Sequence, residues 1–309
     1  MAVALGNTIY GTAQTTAGFR KHTLDLFGKI ITISPTDYPM FTMTGNVRTH
    51  NTVTTWQTRD LPARAENSTL EGANFTFNNL ADATRVTNTA QIITQGVEVS
   101  GSAQAESHYG IKDLMRDQLD YRMEQWKGSA ERVLIRSTQV TGDSDTVRTM
   151  GGLLSSIATV ASTNSNNSLT ETLYIGLQKA VWDQGTKARD CLTNGSLRIV
   201  IDTFNALGKT TWQAPSTLPE VTNMLLLYHG SFGTVRNHLS RDLNDGDGTA
   251  ELVMLDFTKW SKAWLRPVHL RKIDSQADSF QTAIVGELTL KYDDEGAAGK
   301  LTALSTENS

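Results

Sequence analysis

Residues Ser102–Ser137, SAQAESHYGIKDLMRDQLDYRMEQWKGSAERVLIRS, decide how the rest of the chain is read. The stretch holds no proline, and its glycines are Gly110 and Gly128. Apolar residues recur at Ile111, Leu114, Met115, Leu119, Met123, Trp126, Ala130, Val133 and Leu134, at the spacing of an amphipathic helix. One continuous helix of this length spans roughly 54 Å. Asp113/Arg116, Arg116/Asp120, Glu124/Lys127 and Lys127/Glu131 stand three or four apart and are placed to pair along its polar face. Such a helix fits the core of an ordinary enzyme or the strut of a flattened molecule, and the flanking stretches must choose.

On its N-terminal side lie two alternating stretches. Val47–Gln57 and Arg85–Ser100 are rich in β-branched residues and predict two strands. Between them, residues 58–84 are rich in Asn, Ala, Gly and Glu and poor in core formers. A loop that long is functional or disordered. Two strands with a long polar tip predict an extended hairpin, which is marginal alone in water and needs a surface to lie on, such as another subunit. Residues 1 to about 28, rich in Gly, Thr and Ala, read as an arm, and Ser34-Pro35-Thr36-Asp37 breaks any helix there.

On the C-terminal side, Ser168-Leu169-Thr170-Glu171 reads as a capping box opening a helix that stops near Gly185. Residues 162–168 read as a Ser/Asn-rich loop and Asn194-Gly195 as a tight turn. Leu197–Ile201 reads as a short buried strand, followed by a helix from Asp202. Met224–His229, Phe232–Ser240 and Glu251–Leu255 read as strands, giving an α/β or α+β lobe over 150–255. Phe280–Tyr292 is a strong strand expected to pack back on the long helix.

The chain has 309 residues and a net charge of −4, with 39 % hydrophobic residues. That acidity gives no support to tight nucleic-acid binding. Cys191 is the one cysteine, so no internal disulfide forms, and it is expected to be a buried thiol. The N-terminus lacks a basic leader with an apolar run, and no apolar run of ~18 residues exists, so neither a signal peptide nor a membrane span is expected.

The chemical motifs fail on spacing. Gly208-Lys209-Thr210 lacks the earlier glycine of a phosphate-binding loop, since position 203 is Thr. Aligning Asp242–Gly248 on a calcium loop puts Leu243 and Met254 where carboxylates are needed, which leaves an incidental cation between Asp242, Asp245 and Asp247. His22, His50, His108, His229, His238 and His269 have no metal-binding spacing, and there is no nucleophile elbow. Glu98 and Glu106 fit a strand and a helix start better than acid–base chemistry. Trp56, Trp126, Trp182, Trp212, Trp260 and Trp264 are dispersed and read as core and interface anchors. No catalytic, cofactor-binding or metal site is assigned, no cofactor is expected, and the chain is not read as an enzyme.

The order of elements carries a resemblance. Ile33-Ser34-Pro35-Thr36-Asp37-Tyr38-Pro39-Met40-Phe41, Asn51-Thr52-Val53-Thr54-Thr55-Trp56-Gln57-Thr58, Glu71-Gly72-Ala73, Gln91-Ile92 and Val97-Glu98-Val99-Ser100-Gly101 resemble a family of tailed-phage major head proteins. So do Phe232-Gly233-Thr234-Val235, Leu255-Asp256, Leu265-Arg266-Pro267 and Gly286-Glu287-Leu288-Thr289-Leu290. The match covers about residues 25–137 and 225–300 and is weak over 140–222. The resemblance implies an α+β, Hong Kong 97-like capsid fold. Residues 1–45 would be the N-terminal arm and 46–100 the E-loop hairpin. Residues 101–149 would be the P-domain spine helix, 150–255 the A-domain and 256–309 the returning P-domain strands.

The implied function is shell building: hexamers and pentamers form an icosahedral head around the phage's double-stranded DNA, without sequence-specific binding. The virion would be its location, with assembly in the host bacterial cytoplasm. Because the hairpin begins near residue 46, scaffolding is expected from a separate protein, with a portal and a decoration or cement protein as further candidate partners. Some members weld the shell through an E-loop lysine. No lysine occurs from Phe41 to Gln95, so no such crosslink is expected. An encapsulin-like shell around cargo enzymes is the alternative with the same fold. An α/β enzyme would need a convergent polar site, and a secreted adhesive β-protein would need a signal peptide.

Overall fold

The computed structural model describes residues 37–59, 66, 68–74, 82–106, 111, 113–204, 227–243, 249–274 and 277–306. The expected arm before residue 37 and most of the hairpin tip lie outside them, as do Gly208-Lys209-Thr210, Trp212, His22, His108, Asp245 and Asp247.

The long stretch divides. After the five-residue helix α1 (Pro39–Met43), a five-residue turn of helix, α2 (Gly101–Ala105), is followed by a 23-residue helix, α3 (Leu114–Arg136). Glu106 is extended, and Asp113 restarts the helix by accepting the Arg116 N–H on its carboxylate. Gln104 closes the joint, donating to Asp113 Oδ1 at 3.0 Å and accepting the Met115 N–H at 3.1 Å. Apolar spacing is blind to such a restart, so 36 residues of pattern gave one helix where the chain makes two. Of the charge pairs expected on its polar face, Glu124–Lys127 closes at 2.6 Å. Glu131 instead turns into the core beside Trp126, Ala130, Leu134 and Ile135.

Helix α3 lies on a four-stranded sheet ordered β1-β10-β11-β4. Its strands are β1 (Gly45–Arg48), β4 (Gln91–Ser100), β10 (Trp260–Ile273) and β11 (Ser279–Tyr292). This bears out the expected packing of the Phe280–Tyr292 region on the helix. The contact centres on Gly286, where an added Cβ would stand 2.6 Å from Trp126 Cζ2. Trp126 also donates to the Ile93 carbonyl at 3.0 Å and stacks on Trp264 with centroids 6.2 Å apart. Pro267 can donate no hydrogen bond within β10, and the register with β11 shifts between Arg266 and His269, across it, as well as between Trp264 and Arg266.

Each stretch expected as one strand bends between two sheets. Val47–Gln57 becomes β1 and β2 (Val53–Thr58), and Arg85–Ser100 becomes β3 (Thr84–Thr89) and β4, with Ala90 at the corner. Alternation reports which face a residue takes, not which strand it pairs with, so it runs through both corners. Among the described residues β2 and β3 pair only with each other, Val53 opposite Thr89 through Thr58 opposite Thr84.

The remaining chain forms a six-stranded sheet ordered β5-β12-β9-β6-β8-β7. Its strands are β5 (Ala161–Asn167), β6 (Asp190–Thr193), β7 (Leu227–Gly230), β8 (Gly233–Leu239), β9 (Thr249–Leu255) and β12 (Gly299–Ser305). Helices α5 (Glu171–Asp183) and α6 (Gly195–Phe204) pack on one face. Along β9, Ala250, Leu252 and Met254 face that helix layer, while Val253 and Leu255 face the core built on α3. One sheet therefore belongs to two cores. In the smaller core Cys191 is fully buried, and burial pushes its thiol up.

Three local readings change. Residues 161–167 are an edge strand parallel to β12, whose Ser and Asn side chains suit an edge open to water. Leu197–Ile201 is helix: Asn194 Oδ1 accepts the Leu197 N–H at 2.9 Å and caps α6. Leu197, Arg198, Ile201 and Phe204 are buried at helical spacing, and Arg198 pairs with Asp202 one turn on at 3.4 Å. A five-residue apolar run fits strand or helix equally by pattern. The strand of that region is the preceding Asp190–Thr193. The cap of α5 is Thr170, which accepts the Leu173 N–H at 3.3 Å, rather than Ser168.

Gly286→Ala places a methyl group against the Trp126 ring and Val268 and is expected to lower stability by about 1–3 kcal/mol. Denaturant unfolding checks this, with an unchanged midpoint as the contrary result.

Candidate functional site

Among the described residues, nothing gathers into a catalytic constellation. No group of three or more His, Cys, Asp or Glu is placed to hold a metal, and no helix is long and apolar enough to cross a membrane. His229 Nδ1 meets Thr234 Oγ1 at 3.0 Å, His238 Nε2 meets Asp190 Oδ1 at 2.9 Å, and His269 Nδ1 meets the Pro267 carbonyl at 2.9 Å. Glu98 accepts from Ser279 and Gln281, and these two hydrogen bonds hold its carboxyl below the usual range. Trp126 and Trp260 are core anchors, Trp56 and Trp264 are half-buried, and Trp182 is half exposed.

The feature that stands out is the β2–β3 ribbon, which among the described residues pairs with no further strand. Both strands are largely exposed except at the root, where Asn88 and Thr89 are buried. Asn88 fastens that root. Its Nδ2 donates to the Gly151 carbonyl at 2.9 Å and the Leu290 carbonyl at 2.7 Å. Its Oδ1 accepts the N–H groups of Gly151 and Thr89, both at 2.8 Å. One side chain thus joins the ribbon, β11 and the turn after α3.

That turn must come close. A Cβ at Gly152 would lie 2.9 Å from both the Ser137 nitrogen and the Val133 carbonyl oxygen. Met150-Gly151-Gly152 therefore leaves its second glycine no room for a side chain. Gln91 Oε1 accepts the Met150 N–H at 3.2 Å, and Gln139 donates to Thr89 Oγ1 at 3.3 Å. On the other strand, Trp56 meets Tyr292 edge to face, with centroids 5.2 Å apart, and Tyr292 in turn lies 5.1 Å from Trp260. The ribbon is therefore fixed to the body at its base through Asn88, Thr89 and Trp56.

In the tip, Glu71-Gly72-Ala73 forms part of a tight turn, with the Ala73 N–H on the Leu70 carbonyl at 3.0 Å and Gly72 at φ +81°. Leu70 beside it is 83 % exposed, the most exposed of the large apolar side chains among the described residues. A second apolar group, Leu270, Ile273 and Phe280, is exposed at the far end of β10 and β11. Two anchoring groups escaped the sequence reading. Asn88 looked like one more polar strand residue, and Glu131 looked like half of a surface ion pair. The available signal for Glu131 was its place next to Ala130 and three before Leu134, on the apolar stripe.

Asn88→Ala leaves the N–H groups of Thr89 and Gly151 and the carbonyls of Gly151 and Leu290 without this partner in a buried root, and a loss of about 3 kcal/mol is expected. Chemical denaturation of the unassembled chain measures it, and a loss below about 0.5 kcal/mol contradicts the role.

Solved structures share this architecture. The capsid of Myoviridae phage XM1 matches with a TM-score of 0.62 at 15 % identity, over 91 % of this chain and 97 % of that one. The holo-SrpI encapsulin of Synechococcus elongatus PCC 7942 matches with a TM-score of 0.61 at 12 % identity, over 92 % and 93 %. The Gordonia phage Cozz structure matches with a TM-score of 0.59 at 14 % identity, over 95 % and 94 %. The fold is thus the Hong Kong 97-like shell fold. No curated protein matches the sequence itself. A family model does, over residues 8–305, and by that match the chain belongs to the SU10 major capsid protein family.

Proposed function

We propose that the chain is the major capsid subunit of a tailed phage, a virion component that self-associates as hexamers and pentamers into an icosahedral, DNA-filled head. The family match over residues 8–305 carries this reading. The ribbon of β2 and β3 supports it physically, because a two-stranded element with so little buried surface needs a neighbour's surface to rest on. A net charge of −4 suits a wall that confines double-stranded DNA rather than gripping it. The subunit would act as a building block rather than an enzyme. A separate scaffolding protein, a portal and a decoration or cement protein are the further partners expected, with assembly in the bacterial cytoplasm. Without a lysine between Phe41 and Gln95, the shell would be held non-covalently.

In this reading residues 1–45 are the N-terminal arm and 46–100 the E-loop. Residues 101–149 and 256–309 form the P-domain, and 150–255 the A-domain. Hydrogen bonding favours two adjustments: β4 goes with the P-domain through its pairing with β11, and β12 goes with the A-domain through β5 and β9. A cargo-enclosing, encapsulin-like shell is the second reading, since the SrpI encapsulin matches the fold as well as the phage capsids do.

Expression of the full chain with and without scaffolding, imaged by negative-stain electron microscopy, is expected to give capsomers or closed shells. Soluble monomers under every condition would overturn both readings, and shells holding a dedicated enzyme instead of DNA would favour the second. Thr58 and Thr84 are the last paired residues of the ribbon, so a two-residue Asn-Gly turn can replace residues 59–83. That variant is expected to fold with the stability of the parent yet assemble at least tenfold less. Normal, stable heads from it would exclude the tip from shell contacts.

A further inference from the structure

The corner between β1 and β2 holds a half-open cavity of about 320 Å³. Its apolar lining is Val47, Val53 and Ala263, and its basic lining is Arg48, His50 and Lys291. The corner is tied in place by its own hydrogen bonds. The Thr49 N–H goes to the Trp264 carbonyl at 2.9 Å, and the Thr49 hydroxyl meets the Thr54 hydroxyl at 2.9 Å. The Ala90 N–H goes to the Thr52 carbonyl at 2.7 Å. The cavity is therefore formed by the chain as it stands. Val47 and Val53 nevertheless remain 43 % and 37 % exposed there, so its apolar lining is open to an incoming side chain. Arg48 and His50 are exposed, and Lys291 is shared with Asp293 at 3.1 Å.

The tip of the ribbon has the opposite character. Glu66 and residues 68–74 are all exposed, and the tight turn from Leu70 to Ala73 presents Leu70 and Glu71 side by side. Leu70 is too exposed to fill the cavity of its own chain. We propose that the cavity at the β1–β2 corner is the socket for the ribbon tip of another copy of this chain: Leu70 enters against Val47, Val53 and Ala263, and Glu71 meets Arg48 and Lys291 at the mouth. This rests on the capsid-subunit reading and names the surface its ribbon seeks. An apolar side chain flanked by a carboxylate complements an apolar hollow flanked by cations. A second cavity of about 320 Å³, at Ile92, Val147 and Arg148, fits less well. Asp143 lines it and would face Glu71, and Arg148 is already paired with the buried Glu287.

Tip and socket are different surfaces, so the contact is heterologous. Each copy gives its tip to one neighbour and receives a tip from another, and such contacts close into rings when the rotation allows. Burial of Leu70 supplies the attraction, while the charges at the mouth select the partner and its orientation. Val53, Thr54 and Thr55 of β2 line the socket, so a seated tip also covers the foot of the receiving copy's ribbon.

Disulfide trapping in the assembled full chain tests the socket. Cys191 is the one cysteine and is fully buried, so introduced surface pairs report alone. Oxidised particles of Leu70→Cys with Val47→Cys are expected to run as a ladder of covalent multimers on a denaturing gel, and those of Leu70→Cys with Val147→Cys as monomers. Glu71→Arg and Arg48→Glu are each expected to lower the yield of assembled particles about fivefold, and the two together to restore it. Dimers from Leu70→Cys alone, a ladder through Val147→Cys, or shells that assemble without a ladder would each overturn the contact and leave the capsid reading standing. Should the cysteine pair itself block assembly, the charge exchange decides, and failure of the double variant to recover overturns the contact. A parent chain that never assembles overturns both.

Discussion

The indole of Trp126 occupies the space that a side chain at position 286 would need, and most of the larger core is arranged around that contact. Gly286 brings the backbone of β11 within reach of the helix, and the ring then touches three further elements. Its N–H goes to Ile93 of β4, its face to Trp264 of β10, and its edge region to Phe41 of α1. Aromatic pairs in these geometries add about 0.5–1.5 kcal/mol each beyond burial. Stability is therefore concentrated where one helix crosses the middle of one sheet, while the ends of the long strands β10 and β11 project past it.

The C-terminal part of α3 does a different job. Leu134 and Ile135 pack in the same cluster as Leu192, Val253 and Leu255, which lie on the six-stranded sheet. The alternation of β9 makes that sharing possible, because successive side chains enter opposite cores. Arg136 adds a polar tie, meeting Glu251 at 3.0 Å and the Asp242 carbonyl at 3.1 Å. Among the described residues the two sheets share no strand pairing, and α3 packs in the cluster that joins them.

Legibility of the fold in the sequence followed the physics of each signal. Periodicity located the long helix, the ribbon and the strong strand at 280–292, because each has a buried face with a regular spacing. It missed the restart at Asp113, the corners at His50–Thr52 and Ala90, and the identity of Leu197–Ile201, because none of these changes the local apolar spacing. The edge strand β5 was invisible for a different reason: its residues hardly need to be apolar. Family-like motifs bridged these gaps. Gly286-Glu287 marks the close approach of α3, and Glu287 is the buried carboxylate between Arg148 and Arg266. The bonds from Glu131 to the Met40 and Phe41 N–H groups and the staple at Asn88 were unreadable since each depends on a partner some 60 to 200 residues away in sequence.

These two polar anchors have something in common. Both hold a piece of chain by its backbone rather than by apolar side chains, Asn88 at the foot of the ribbon and Glu131 at the root of the N-terminal segment. A hydrophobic anchor tolerates sliding, whereas hydrogen bonds to named N–H and carbonyl groups fix register and direction. For a subunit that must present outlying segments to its neighbours, direction at the base decides where the far end arrives. A few degrees at Asn88 become about 1 Å at the end of a strand pair six residues long, and more beyond it. The molecule is thus stiff at the points where its extensions leave the body. Among the described residues, its open backbone edges and exposed apolar groups lie farther out, where another copy of the chain can complete them.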